Sequence, residues 1–467
     1  MPAVQTFADQ HVLAMTASNA EAVAFYNRAV SGYLGLRSDV GADLKGMFGA
    51  DPDIVMGHTL KGYFYQLFAN PTLDGRTGQA IATAEKSALD RGANQRELRH
   101  ISALKAWFEG DLDRAIRIWE DILLEHPLDV VALRLAYHTY FYLGDFANGR
   151  DLPARVMHAW HEDVPCYGFV LGVYAFALEE AGDYVTAERI GRRAVELNGG
   201  DIWAVHSVCH VLEMQGRHRE GVDWVKSTEP GWRECNNFRY HIWWHRTLFH
   251  LELDQYDEVL DLYDTEVRAE KSNEYLDICN AASLLWRLEA RGIAIGERWD
   301  ELASFSEERV DDHVLAFVDA HYIMALAGGG HTAAIGQMLE NLRGFARANA
   351  KTEAGVTRDV GLPLCEALVA YRDGDYARAV DLLLPIRYGL VTLGGSHAQR
   401  DVFVETLINA TLKSGRFALA RSLLSERTAL KPKSPSSWRL LATAHDGLDN
   451  KQQARAAEKK AAESFSA

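Results

Sequence analysis

Two helical-length stretches of this chain place histidines four residues apart: His206-Ser-Val-Cys-His210-Val-Leu-Glu213 and His241-Ile-Trp-Trp-His245. Residues at that spacing lie one above the other on a single helix face, so each pair presents two imidazoles in one direction. Neutral imidazole is a ligand for divalent metals and a general acid or base near neutral pH. His206 and His210 can present two nitrogens to one ion, and His241 or His245 with a carboxylate would complete a tetrahedral shell. Ser207 stands where the Glu of an HExxH metalloprotease helix would be, so that motif is absent. For acid–base work, His206, His210, His245 and His397 are the titrating groups, with Glu213, Asp319 or Glu405 to orient them. Ser396-His397-Ala-Gln399 fits a helix capping box better than a nucleophile–base pair. The odd, scattered set of five cysteines contains no CxxC pair, which argues against a disulfide framework and for reduced thiols in a cytoplasmic setting.

The elements that would position these groups come from a repeat. Gly110-Asp-Leu-Asp-Arg-Ala115 recurs as Gly144-Asp-Phe146, Gly182-Asp-Tyr184 with Ala187, and Gly216-Arg-His218. It returns as Asp254-Gln-Tyr256, Gly374-Asp-Tyr376 with Ala379, Gly415-Arg-Phe417 with Ala420, and Asp449 with Ala454. From Gly110 to Asp254 the turns are spaced 34, 38, 34 and 38 residues, and from Gly374 they are spaced 41 and 34. The tetratricopeptide period is about 34. A less regular copy lies near Gly329. The pattern predicts an all-α chain of tetratricopeptide-like helical hairpins, curled into an α-solenoid superhelix. Residues 101–467 form the array, with a solvated C-terminal capping helix from Lys451. Residues 1–100 form a helical N-terminal cap, with loops at Gly41 to Pro52 and Asn70 to Gly78.

First helices of such hairpins line the concave surface. Counting back from each turn places Arg134, His138, His206, His210, Asp319, Glu405 and Asn409 at equivalent first-helix positions, which Phe176, Leu248, Ile323, Leu364 and Leu368 occupy in other repeats. His241, Trp244 and His245 fall on the neighbouring first helix.

The stretch Trp203 to Arg217 resembles the tetratricopeptide repeat protein 38 family. So do Tyr240 to Glu252, Ser283 to Glu289, Asp319-Ala-His321-Tyr-Ile-Met-Ala and Gly394-Gly-Ser396-His397-Ala-Gln399-Arg400-Asp401. The resemblance runs from about residue 15 to 440 and implies a helical-repeat fold and a soluble protein, with no family-wide reaction. One departure is Ile242, where an Asn before the double Trp is expected.

A formal charge of −16, from 49 basic and 65 acidic residues, argues against nucleic-acid phosphate as a partner and against electrostatic docking on anionic lipid. The opening ten residues carry no basic or apolar targeting segment, and no apolar run is long enough to span a bilayer. The expectation is therefore a His-rich inner pocket that binds a small polar molecule, built around His206, His210, His241 and His245. Glu213, His397, His138, Arg134, Trp244, Asp319, His321, Arg400 and Glu405 support it, with a divalent metal as the candidate cofactor. Acid–base or hydrolytic catalysis is the chemistry such a pocket offers, and whether the chain is an enzyme stays open at this stage. The alternative is a non-catalytic scaffold that holds a peptide or partner protein in the concave groove.

Overall fold

The computed structural model describes residues 5–348 and 351–466; Met1 to Val4, part of the opening segment, lie outside the described residues. Helical hairpins dominate, and the repeat signature has a direct backbone meaning. Gly110, Gly144, Gly182, Gly216, Gly374 and Gly415 take φ between 66° and 87°, the left-handed conformation that ends a helix. Where the sequence substitutes aspartate, Asp254 (φ 56°) and Asp449 (φ 58°) adopt the same conformation, which Asp tolerates better than most side chains. The irregular copy turns at Gly330, φ 75°. The Asp that follows a turn glycine starts the next helix. Asp111, Asp145, Asp183 and Asp375 each accept a hydrogen bond from the backbone N–H three residues on. Each such cap contributes about 1 kcal/mol.

The position five residues past the turn is kept small. Ala115, Ala187, Ala379 and Ala420 fill that slot and are fully buried. In the hairpin after Gly216 the slot holds Gly221, where a Cβ would come within 2.4 Å of the Phe249 ring. Gly221→Ala should therefore destabilise the protein by about 1–3 kcal/mol, despite the better helix propensity of alanine. Thermal melting of the variant checks this, and an unchanged or raised melting temperature would show that the Phe249 ring can move aside.

The described residues fall into two compact units. The first comprises residues up to Val208 with Pro230–Arg239 and a short segment ending at Gly355; the second comprises Cys209–Glu229, Tyr240–Arg347 and the residues from Val356. The continuous helix Ile202–Met214 supplies residues to both.

The first unit departs from the sequence expectation at three places. Gln5–Ala8 and Ala14–Ala17 form a two-stranded antiparallel hairpin, with Gln5 opposite Ala17. Four-residue strands are too short to show a period. Gly41 to Pro52, expected as a loop, is mostly the helix Val40–Ala50. Its glycines serve packing: a Cβ on Gly46 would lie 2.1 Å from the Phe25 ring. The second expected loop is shorter than predicted. Asn70 caps a single turn, Pro71–Leu73, and the helix Asp74–Arg91 begins at once.

In the second unit the helix Tyr275–Ala290 packs against both Ala316–Gly329 and His397–Lys413. This arrangement brings together side chains more than a hundred residues apart: Trp286 Nε1 donates to Thr406 Oγ1 at 3.0 Å, and Arg287 Nη2 donates to the Ala398 carbonyl at 2.7 Å. No helix among the described residues is long and apolar enough to cross a membrane.

Candidate functional site

Three histidines meet in the second unit. His210 comes from Ile202–Met214, and His241 and His245 come from Phe238–Glu252. All three are buried. The ring centroids of His210 and His245 are 4.4 Å apart and those of His241 and His245 are 4.7 Å apart, both edge-to-face. One nitrogen from each ring lies within 4.8 Å of the others.

Two outer polar groups lie beside the rings. His241 Nδ1 donates to Asn280 Oδ1 at 2.9 Å, which leaves the Nε2 lone pair on the other side of the ring. His245 Nδ1 lies 3.7 Å from Glu213 Oε2. Trp244 stacks on His241 (5.1 Å, 14°) and donates Nε1 to Ser283 Oγ at 3.2 Å, fixing the wall of the site. Burial holds all three imidazoles below the usual histidine pKa. For His210 and His241, repulsion from the neighbouring ring adds to this, while Glu213 partly offsets burial at His245. The three rings are thus neutral at pH 7, the protonation state a metal ligand needs.

His206 lies one turn before His210 on the same helix but belongs to the first unit. It packs among Phe176 (4.8 Å), Trp203 (5.2 Å) and Phe238 (5.1 Å).

Glu213 also faces a cavity of about 30 Å³, room for roughly two or three water-sized groups. Its lining includes four carboxylates (Glu213, Glu252, Asp401, Glu405) against five fixed cations (Arg287, Arg291, Arg427, Lys431, Lys433), with His218 beside them. Lys431 Nζ bridges Asp401 (3.0 Å) and Glu213 (3.4 Å). Arg427 holds Asp401 through both oxygens and reaches Glu405 at 3.3 Å. Arg291 joins Glu405 (3.3 Å) to Glu252 (3.6 Å), and Glu252 accepts from Ser434 and Ser436. The net excess of one cation stands out in a chain of charge −16.

Glu405 was expected from the repeat register; Asp401, Glu252, Arg287, Arg291, Arg427 and Lys431 were not. A signal was present, because Asp401/Glu405, Arg287/Arg291 and Arg427/Lys431 are each spaced four apart. Arg427 and Lys431 lie on or just beyond a second helix, Phe417–Leu430, outside the positions compared.

The other expected residues have separate surroundings. Ser396 forms the capping box with Gln399, and His397 follows at the first helical position. Arg400 binds the Gly395 carbonyl and so fastens the loop before that helix. Asp319 pairs with His313 at 3.4 Å. Arg134 and His138 lie in the first unit.

His321 is buried against Phe317 and Phe403, and its Nδ1 donates to the Phe317 carbonyl at 2.8 Å. Burial lowers its pKa to about 4. A histidine depressed in the folded state contributes stability that is present above its unfolded pKa and lost as pH falls toward the folded one. Between pH 6.5 and 4 this residue should cost up to about 3 kcal/mol. His321→Phe should remove that part of the acid sensitivity, as denaturant melts at pH 7 and pH 4.5 would record.

Fold and site together define an all-α, tetratricopeptide-like helical-repeat protein with a buried histidine cluster and an ion-lined cavity. No family model matches the chain. Among solved structures it is similar to the human IFIT1 dimer with PPP-AAAA, at 13% identity and TM-score 0.40 over 95% of this chain and 94% of that one. It is also similar to yeast Tom70, at 12% identity and TM-score 0.33 over 95% and 91% of the two chains. A third match is the P58(IPK) TPR domain, at 11% identity and TM-score 0.22 over 79% and 93%. At this level of similarity nothing about ligand or partner passes from those proteins to this chain.

Proposed function

We propose that this chain is a helical-repeat binding protein whose second unit holds a divalent metal at His210, His241 and His245. A small polar molecule, anionic by preference, occupies the adjoining cavity. The observation that carries this reading is the histidine triad: three buried, neutral imidazoles whose nitrogens lie within 4.8 Å of one another. A tetrahedral zinc with Zn–N bonds of about 2.0–2.1 Å separates its nitrogens by about 3.3 Å. Closing the triad onto an ion therefore takes ring shifts of about 1 Å. Asn280 and Glu213 supply the outer partners that such ligands use. Hydrolysis or another acid–base reaction is the catalytic form of the proposal.

The finer assignment to the tetratricopeptide repeat protein 38 family belongs to the same proposal, because its motifs contain His210, Glu213, His241 and His245. A cytoplasmic setting fits five cysteines that all stand as free thiols.

Metal analysis of the purified protein and calorimetric titration with zinc after chelator treatment test this reading. One equivalent bound supports it, and no uptake sinks it. The second reading, a non-catalytic scaffold for a peptide or partner protein, is favoured by the hairpin repeats themselves, an architecture whose stacked first helices form binding surfaces. That reading would be left standing by a metal-free protein that still captures a partner.

A further inference from the structure

The first unit has a buried polar cluster of its own, centred on Arg134 in the helix Val130–Tyr142. Arg134 is 1% exposed, and none of its three guanidinium nitrogens finds a hydrogen-bond partner. Its face lies 3.9 Å over the Trp203 ring. Stacking satisfies the face of a guanidinium but not its N–H groups, which point outward in the plane. Other buried arginines among the described residues are paired with a carboxylate: Arg96 with Asp129 at 2.8 Å, Arg268 with Glu301 at 2.9 Å, and Arg427 with Asp401. Arg134 is the exception among them, and an unpaired buried charge costs several kcal/mol.

Its surroundings repeat the pattern. The hydroxyls of Tyr33 and Tyr137, Nδ1 of His138 and the indole N–H of Trp203 are likewise buried without partners. Tyr33 lies close enough to Arg134 for the guanidinium to act on its hydroxyl. His138 meets Trp203 edge-to-face at 5.5 Å. The carboxylate that acts on Arg134, Asp201, spends Oδ1 on the Ala204 backbone N–H at 3.0 Å. Asp201 Oδ2 has no partner, and burial pushes its pKa up to about 7, so it does not supply a full counter-charge. Arg134 and His138 thus meet one indole, and the Tyr33 and Tyr137 hydroxyls lie within electrostatic reach of the guanidinium, with Glu180 and Glu179 also acting on Tyr137.

We propose that this cluster is a binding site for a small oxyanion, a carboxylate or phosphate group. Arg134 provides the fixed counter-charge, and Tyr33, Tyr137 and Trp203 donate hydrogen bonds. The guanidinium edge suits two parallel N–H···O bonds to such a group, a geometry that both carboxylate and phosphate offer. This site is independent of the metal reading of the second unit, since it shares no residue with the triad.

The test uses the full chain dialysed into chloride buffer, with inorganic phosphate and succinate as probes at constant ionic strength. The expected result is a saturable rise in melting temperature with at least one probe, about 3 °C or more at a hundredfold excess over Kd. A response to phosphate alone indicates a phosphate-bearing ligand, and a response to succinate alone indicates a carboxylate. Arg134→Met should melt as a folded protein and lose the response. Tyr137→Phe removes one hydroxyl and should weaken binding about tenfold; it decides the matter if Arg134→Met does not fold. The proposal is overturned if neither anion acts beyond chloride, if Arg134→Met responds like wild type, or if Tyr137→Phe binds unchanged.

Discussion

Replacing His241 and His245 together by alanine should abolish the one-to-one zinc uptake expected of the wild-type chain. Loss of a single outer partner of a metal ligand costs about 10–100-fold in affinity, so loss of two direct ligands should exceed a hundredfold. His210→Ala, which takes one ligand from the other helix, should have a comparable effect. Asn280→Leu should weaken zinc by about 10–100-fold, because His241 Nδ1 would lose its acceptor while the ligand itself stays in place. His331→Ala, which removes a half-exposed histidine paired with Glu307, should leave binding unchanged. Competition against a chromophoric chelator reads each value, and far-ultraviolet circular dichroism reports whether each variant keeps its helices. A double variant that binds zinc as the wild type does would remove the triad from the mechanism. A wild type that takes no zinc, with variants that merely melt earlier, would mark the histidines as packing and hydrogen-bonding groups.

The hairpin skeleton was legible because each turn is written twice. Gly110, Gly144, Gly182 and Gly374 mark the left-handed residue, and the aspartate that follows each of them marks the cap of the next helix. Four-residue spacing also identified the histidine pairs correctly as helix-face neighbours. What spacing within one helix cannot reveal is which face meets which helix. The rings that cover this stripe are set by tertiary packing: Phe176, Trp203 and Phe238 at His206, and His245 at His210.

The cavity network was hidden for a different reason. Glu213 and Lys431 are 218 residues apart, and only the folding of distant hairpins onto one another makes them partners. Helix Val40–Ala50 was missed because glycine, read as a turn signal, here admits the Phe25 ring against the helix backbone.

The ion network bears directly on what the cavity can hold. Asp401 anchors two of its five cations, and burial alone would raise its pKa. Arg427 and Lys431 outweigh that and hold the carboxyl well below the usual carboxylate range. Asp401→Asn keeps the shape of the side chain but leaves both cations short of a counter-charge in a buried setting. Removing one partner of a buried ion pair typically costs about 3–5 kcal/mol, and a loss of that size is expected in denaturant melts at pH 7. The sign with pH follows from the depressed pKa. The stabilisation by Asp401 is complete above the ordinary aspartate value of about 4 and is lost as pH falls below it. The gap between wild type and variant should therefore narrow as pH falls from 5 toward 3. Asp381→Asn, which breaks the exposed pair with Arg416, should leave the melt nearly unchanged at every pH. If Asp401→Asn were as mild as that surface control, Glu213 and Glu405 would suffice to hold Arg427 and Lys431. The excess positive charge that recommends the cavity for an anionic ligand would then already be neutralised within the protein.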